Sequence, residues 1–130
     1  MTIGEHKLAT QVGPCGFFAG VCFECECVSE FGLSITYGGK FLTRDTRWKA
    51  ALEFGIQHAW GHVRLRNEKE SSGLKVTVIR IDWHNDCDTT VLTVAYAAAH
   101  ALYNALGLIG ELSPHFDQSK KQFVFRYGER

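Results

Sequence analysis

The chain has 130 residues, of which 45% are hydrophobic, and its 14 Lys and Arg are balanced by 14 Asp and Glu. This length and apolar fraction predict one globular domain that buries its own core without disulfides or a structural metal. Zero net charge argues against a strong overall attraction to polyanions, so we expect neither DNA nor a membrane as a partner. The N-terminus lacks a signal-peptide pattern and no apolar run is long enough to span a membrane, which predicts a cytoplasmic protein.

Three strands are predicted in the first part of the chain. KLATQ and GVCFECECVSE are separated by the turn-forming stretch VGPCG, and LSITY ends at Gly38 and Gly39. The second strand alternates, so Cys22 would point away from its apolar face. That apolar face is expected to carry Val21, Phe23, Cys25 and Cys27.

Two helices and two further strands are predicted downstream. From Asp45 the apolar spacing changes to three and four residues, which predicts an amphipathic helix capped by Asp45 or Thr46. LKVTVIRIDW predicts a strand, and a mostly apolar helix is expected over TTVLTVAYAAAHALYNALG, begun by Asp88 or Thr89. QFVFRYG supplies the last strand. The two faces of the strand LKVTVIRIDW would carry Val76, Val78 and Arg80 on one side and Thr77, Ile79 and Ile81 on the other.

The order of these elements, β-β-β-α-β-α-β, predicts the fold class. Two helices and a set of mostly sequential strands form an α+β sandwich, with a single sheet of four to five strands and both helices packed on one face. Since no linker or internal repeat is visible, residues 1–130 are expected to form a single domain.

Cysteine and histidine are the residues that could hold a metal. The five cysteines are an odd count and are expected to be free thiols. Cys22, Cys25 and Cys27 would converge on zinc only if the chain turned between them, so small core residues are the favoured interpretation in a continuous strand. His58 and His62 are four residues apart, but no third ligand is evident and a solvated or helix-end pair is favoured. We therefore expect no metal and no cofactor.

The segment WHNDCDTT, residues 83–90, gathers an imidazole, two carboxylates and a thiol. Cys87 has His84 nearby, but the acidic residues on either side disfavour the thiolate that catalysis needs. Asp88 instead fits the start of the second helix, where a carboxylate accepts hydrogen bonds from unpaired backbone N–H groups. We therefore predict no catalytic residue and expect His84, Asn85 and Asp86 at the tip of a loop.

The order of these motifs resembles the fourth domain of elongation factor G. VTVIRIDWHNDCDTTVLTVAYAAAHALYNAL resembles its strand, His-containing loop and Ala-rich buried helix, with DCDTT where the family has acidic-x-Asp-Ser-Ser. KLATQVGPCGFFAGVCFE resembles its first strand, Gly-rich turn and second strand, with matches at Gln11, Gly13, Gly16 and Phe18. YGG and WKAALEFGIQHA resemble the Gly-Gly strand end and the helix after it, so the resemblance spans roughly Lys7 to Gly107.

This resemblance implies the fold of the second domain of the small-subunit ribosomal protein S5, with a left-handed βαβ crossover instead of the common right-handed one. It also implies that the Gly-rich turn and the His-containing loop lie together at a tip that contacts RNA in the ribosome. The tip would consist of Gly13, Cys15, Gly16, Phe17, His84, Asn85 and Asp86. The sequence departs from the family in having Cys15 for the turn Arg, Phe17 for the turn Gln, and Asn85 where the loop His stands.

Three functions are compatible with the sequence. The favoured one is an RNA- or ribosome-binding module without GTPase activity, since G-x-x-x-x-G-K-[ST] does not occur. Aromatic residues near the tip, Phe17, Phe18 and Trp83, could stack on unpaired bases. One alternative is a protein-protein interaction or scaffold domain that forms a homo-oligomer, which neutral charge and abundant aromatic residues favour. A further alternative is a small enzyme that uses the loop from His84 to Asp88.

Overall fold

The main feature of the fold is one mixed sheet of four strands. The computed structural model describes residues 2–12, 15–29, 32–66, 73–84, 88–106, 114–117, 119–120 and 122–125. The strands are β1 (Thr2–Val12), β2 (Cys15–Val28), β3 (Leu33–Tyr37) and β4 (Gly73–Asp82), in the spatial order β1-β2-β4-β3. β2 runs antiparallel to both β1 and β4, whereas β3 is parallel to β4.

The helices connect and follow the parallel pair of strands. A short 3-10 helix (Thr43–Trp48) leads into α1 (Lys49–Arg66) between β3 and β4, and α2 (Val91–Ala105) follows β4. The α+β class with two helices is thus confirmed. β3, α1 and β4 form a βαβ unit, and the left-handed crossover of this unit stays a prediction. In the described part of the chain, no helix is long and apolar enough to cross a membrane.

The C-terminal strand is shorter than predicted and pairs differently. Within QFVFRYG the structure describes a strand over Gln122–Val124, here β6. It pairs antiparallel with β5 (His115–Asp117), which the sequence analysis missed, and the two form a separate two-stranded sheet. Three residues are too few for an alternation of apolar side chains to stand out, so the sequence carried little signal for β5.

Both helices pack on the same face of the four-stranded sheet. Two glycines make this close approach possible: a Cβ on Gly55 of α1 would strike the carbonyl oxygen of Ala95, and a Cβ on Gly4 of β1 would strike that of Ala101. α2 contributes mostly alanines, which let its backbone lie close to its neighbours. The largest fully buried side chains include Phe23, Leu52, Ile56, Leu74, Val76, Val78 and Leu102.

A β-bulge in β4 changes which face the end of this strand presents. Phe23 of β2 lies opposite Val78, but the preceding Cys22 lies opposite Arg80, so Ile79 is an extra residue. The carbonyl of Ile79 accepts a hydrogen bond of 3.0 Å from the N–H of Lys40. The predicted side of the sheet is therefore wrong for Arg80 and Ile81, because the bulge shifts the alternation of side chains by one residue.

After the bulge, Ile81 joins the core and Arg80 points to the open face. Ile81 is only 5% exposed. Arg80 donates to the carboxylate of Glu5 at 2.7 Å and to that of Asp82 at 3.2 Å. The open face of the sheet thus carries a charged cluster that bridges β1 and β4.

The cysteines and the paired histidines differ in part from expectation. Cys25 is buried on the core side, where burial raises the pKa of its thiol to about 12, but Cys27 near the end of β2 is exposed. His58 and His62 are 8% and 4% exposed, so the solvated alternative of the prediction is wrong. His62 Nδ1 lies 2.7 Å from the hydroxyl of Tyr103, which places the pair at the interface between α1 and α2.

Candidate binding site at the end of the sheet

The site lies where the β1–β2 end of the sheet meets the connection between β4 and α2. The N–H of Phe18 donates to the carbonyl of Asp88 at 2.9 Å, and the hydroxyl of Thr89 donates to the carbonyl of Phe18 at 2.7 Å. The same hydroxyl accepts from the N–H of His84 at 3.0 Å. A single buried threonine therefore ties β2, the end of the β4 segment and the start of the helix region together.

The cap of α2 is Thr90, so the prediction that Asp88 or Thr89 begins this helix is wrong. The Thr90 hydroxyl accepts from the N–H of Thr93 at 3.3 Å, and the Thr93 hydroxyl accepts from the N–H of Thr90 at 2.8 Å. A threonine reaches the first-turn N–H as well as an aspartate does. Asp88 lies two residues earlier and its carboxylate is directed elsewhere.

The Asp88 carboxylate lies between Gly16 and His84. A Cβ built on Gly16 would lie 2.9 Å from Asp88 Oδ1, so only glycine leaves the carboxylate in its place. Asp88 Oδ2 lies 3.8 Å from His84 Nδ1, and the two side chains are 32% and 47% exposed. Of the predicted tip residues, Gly16 and His84 are thus brought to the same site.

An aromatic stack forms the wall of this site. The rings of Phe18 and His84 are 4.0 Å apart and nearly parallel, with an interplanar angle of 2°. Lys7 places its Nζ 5.6 Å from the centre of the Phe18 ring. The stack therefore carries a cation on its β1 side and leaves about half of the imidazole open to solvent.

The ring of Phe17 points to the opposite side of the sheet from this stack, although Phe17 also borders the cleft at this site. Its ring contacts Phe123 of β6 at a centroid distance of 5.5 Å, in an edge-to-face arrangement. Cys15 begins β2, and only its backbone is described. Gly13, Asn85 and Asp86 lie outside the described residues.

Lys7 was not predicted at this site, whereas Phe18 was expected near the tip as a ring that could stack on a base but was not assigned to the tip itself. Counting back by two from Phe23 along β2 leads to Val21, Ala19 and Phe17 on the core side. The same alternation places Phe18 on the open face, where a residue can reach the loop after β4. Lys7 carried no comparable signal, since its contact depends on the register of β1 against β2.

The walls enclose an open cleft of about 320 Å³. Its chemistry is stacking and hydrogen bonding, with one imidazole and one carboxylate as titratable groups. Among the described residues, no group of three His, Cys, Asp or Glu is placed to hold a metal ion. The lining residues are Ala9, Thr10, Gln11, Gly16, Phe17, Phe18, His84 and Asp88.

Comparisons with known proteins give a structural relative but no family. No protein-family model matches the chain, and no curated protein matches it. The chain is similar to the crystal structure of a protein from Thermus thermophilus, with a TM-score of 0.61 and 23% sequence identity. The match covers 82% of this chain but only 16% of that one, so the Thermus chain is several times longer. At this identity the likeness shows the fold alone.

Proposed function

We propose that the protein is an RNA- or ribosome-binding module without GTPase activity, similar to the fourth domain of elongation factor G. The observation that carries this proposal is the half-exposed stack of His84 on Phe18, with Lys7 beside it. Phe18 covers one face of the imidazole, and the other face is available to an unpaired base. Proteins that recognise single-stranded RNA combine such aromatic platforms with cations that contact phosphate.

The position of the stack supports the same proposal. It is formed by β2 and by the segment after β4, the two regions in which the resemblance to elongation factor G leads us to expect the RNA-contacting tip. The structural relative from Thermus thermophilus is a longer chain, of which the match covers 16%.

Replacement of His84 by alanine is expected to weaken RNA binding by roughly 5- to 150-fold, since one stacked base contributes about 1 to 3 kcal/mol. The measurement is fluorescence anisotropy of a labelled single-stranded RNA at low salt, with cosedimentation on ribosomes as a second assay. His115→Ala is the matched control, since this half-buried histidine lies on β5. If the unmodified protein binds neither ribosomes nor structured or single-stranded RNA, the proposed function is wrong.

A second candidate function is self-association, which the free edge of β1 favours. β1 is the outermost strand of the sheet, and in the described part of the chain no strand pairs with its other edge. The side chain of Asn104 donates to the carbonyl of Glu5 at 2.9 Å, so this carbonyl points to the free edge. Because strand residues alternate, the backbone groups of Ile3, Lys7 and Ala9 point the same way. A strand edge of this length is a template for another strand.

The sequence of this edge is complementary to itself. If two copies of β1 pair antiparallel about a two-fold axis at His6, Glu5 of each copy lies opposite Lys7 of the other. In the single chain Glu5 is paired with Arg80, which also contacts Asp82. The partner's Lys7 would place a second cation beside Glu5. The partner that fits this edge is a second copy of the chain.

Lys7→Glu is expected to convert such a dimer into a monomer. Each Glu5 would then lie opposite a carboxylate at position 7 of the other copy, and the like charges would repel. Sedimentation equilibrium at micromolar to tens of micromolar concentrations measures the association. Lys75→Glu is the control, since this exposed lysine lies on β4 in the interior of the sheet. A protein that is monomeric before any substitution rules out this second function.

A further inference from the structure

The 3-10 helix between β3 and α1 concentrates positive charge on one surface of a chain with no net charge. Lys40, Arg44, Arg47 and Lys49 all have exposed side chains and lie within ten positions of each other. The one acidic residue among them, Asp45, is only 2% exposed. The surface that the 3-10 helix presents to solvent is therefore basic, and we refer to these four residues as the basic patch.

Asp45 is buried because it holds the 3-10 helix against the end of β4. One of its carboxylate oxygens accepts from the N–H of Leu42 at 2.9 Å, and the other accepts from the indole Nε1 of Trp83 at 2.8 Å. Its negative charge is thus used within the fold instead of being displayed beside the arginines. Arg44 Nε lies 3.8 Å from this carboxylate, beyond hydrogen-bond distance.

Arg44 and Arg47 are arranged together on the ring of Trp83. Side chains three residues apart eclipse in a 3-10 helix, which brings these two arginines to the same side. The guanidinium carbon of Arg44 is 5.9 Å and that of Arg47 is 5.1 Å from the centre of the Trp83 ring. A guanidinium that stacks on an indole keeps its N–H groups in its own plane, where they can donate to a phosphate.

Within the described part of the chain, the cations of the basic patch make no short ion pair. Arg80 and His84 take part in the ion pairs with Glu5, Asp82 and Asp88, and Arg44 makes only the long contact with Asp45. Arg44 is also 73% exposed. Lys49 lies over the ring of Tyr37, at 4.7 Å from Nζ to its centre, and has no ion pair among these residues.

The patch adjoins the aromatic stack of the candidate site. Trp83 and His84 are the two residues that follow β4, and their contacts place their side chains on opposite sides. Trp83 contacts the 3-10 helix, and His84 contacts Phe18 on the open face. A strand of RNA that passes the end of β4 can therefore meet the imidazole on one side and the arginines on the other.

We propose that Arg44 and Arg47, positioned on Trp83, bind the phosphate groups of an RNA strand whose unpaired base stacks on His84. This inference rests on the proposed function. It adds two arginines to Lys7, the cation already described beside the stack. Phosphate and carboxylate groups can both take the two in-plane donors of a guanidinium. RNA is favoured over an acidic peptide because the neighbouring stack of His84 on Phe18 offers an aromatic surface to unpaired bases.

The test compares two variants of equal net charge. Arg44→Gln with Arg47→Gln is expected to weaken binding of a labelled single-stranded RNA at least tenfold and to reduce the slope of log K against log salt by about 1.4, since each phosphate contact contributes about 0.7. Lys75→Gln with Lys120→Gln removes two exposed charges elsewhere and should leave both quantities near their original values. Arg44→Lys with Arg47→Lys keeps the charge and should bind with intermediate affinity, because it loses the planar pair of donors.

The outcomes separate this inference from the function on which it rests. If the unmodified protein binds RNA and the Arg44 and Arg47 variant binds equally well, the patch is not a phosphate site, whereas the His84 result still stands. If both charge-matched variants lose affinity equally, binding reflects net charge alone and the inference fails. If RNA does not bind but an acidic peptide does, both proposals fail. Thermal unfolding of each variant checks that the fold is unchanged.

Discussion

Gly55→Ala is expected to lower the free energy of unfolding by about 3 kcal/mol, near the upper end of the usual cost of overpacking a core. The added methyl group would strike the carbonyl oxygen of Ala95 and come within 2.9 Å of the Cβ of Ala98. Neither neighbour can turn away, because one is the backbone of α2 and the other is a methyl group on it. The helices would have to separate, and every contact between α1 and α2 would loosen.

The matched control for this substitution lies in the same helix. A Cβ on Gly61 meets no atom within 4 Å, so Gly61→Ala should stabilise the protein by up to about 1 kcal/mol through the helix preference of alanine. Urea unfolding followed by circular dichroism measures both variants. Equal effects of the two substitutions would mean that the close approach of α1 and α2 at Gly55 does not occur.

Acidification from pH 6.5 to pH 4 is expected to destabilise the protein through its buried histidines. Burial lowers the pKa of His58 to about 4, with a smaller contribution from His62, and burial with the charge of His100 lowers that of His6 to about 4. Between these pKa values and the unfolded value of 6.5 the unfolded chain binds more protons, so the free energy of unfolding falls as pH falls. The stabilisation is complete above pH 6.5 and is lost by about pH 4.

For the nearly buried His58, about 1.4 kcal/mol per pKa unit gives a loss of about 3 kcal/mol across this window. His58→Gln should flatten the pH dependence of the unfolding free energy, although it lowers stability at neutral pH. His84→Gln serves as the control, because this histidine is half exposed. The measurement is urea unfolding at half-unit pH steps. An unchanged slope in the His58 variant would show that this imidazole does not titrate as its burial requires.

The sequence was sufficient for the two helices and the four strands of the main sheet, but not for β5 or for the facing of every residue. Alternation along β2 and the three- and four-residue spacing of α1 follow from burial on one side, which is a local pattern. Burial of His58 and His62 could not be read from the sequence, because it depends on Tyr103 of α2 and on aromatic residues near the C-terminus. The resemblance placed Gly16 and His84 at one site, whereas the contact of Phe17 with Phe123 joins residues far apart in the chain.

The cap of α2 shows why the start of a helix is hard to predict from composition. Asp88, Thr89 and Thr90 are all residue types that accept hydrogen bonds from backbone N–H groups at a helix start. The structure assigns capping to Thr90, the tie between segments to Thr89, and the contact with Gly16 to Asp88. Three neighbouring polar residues thus have three different roles, which only the path of the chain distinguishes.

The extra residue at Ile79 determines the sidedness of everything that follows it in β4. With regular alternation from Val78, Ile81 would face the open side and the side chains of Trp83 and His84 would exchange sides. The indole would then lie next to Phe18, and the imidazole would lie next to the 3-10 helix. A one-residue irregularity in the middle of the sheet therefore determines which of two adjacent surfaces receives the histidine and which receives the tryptophan that supports the arginines.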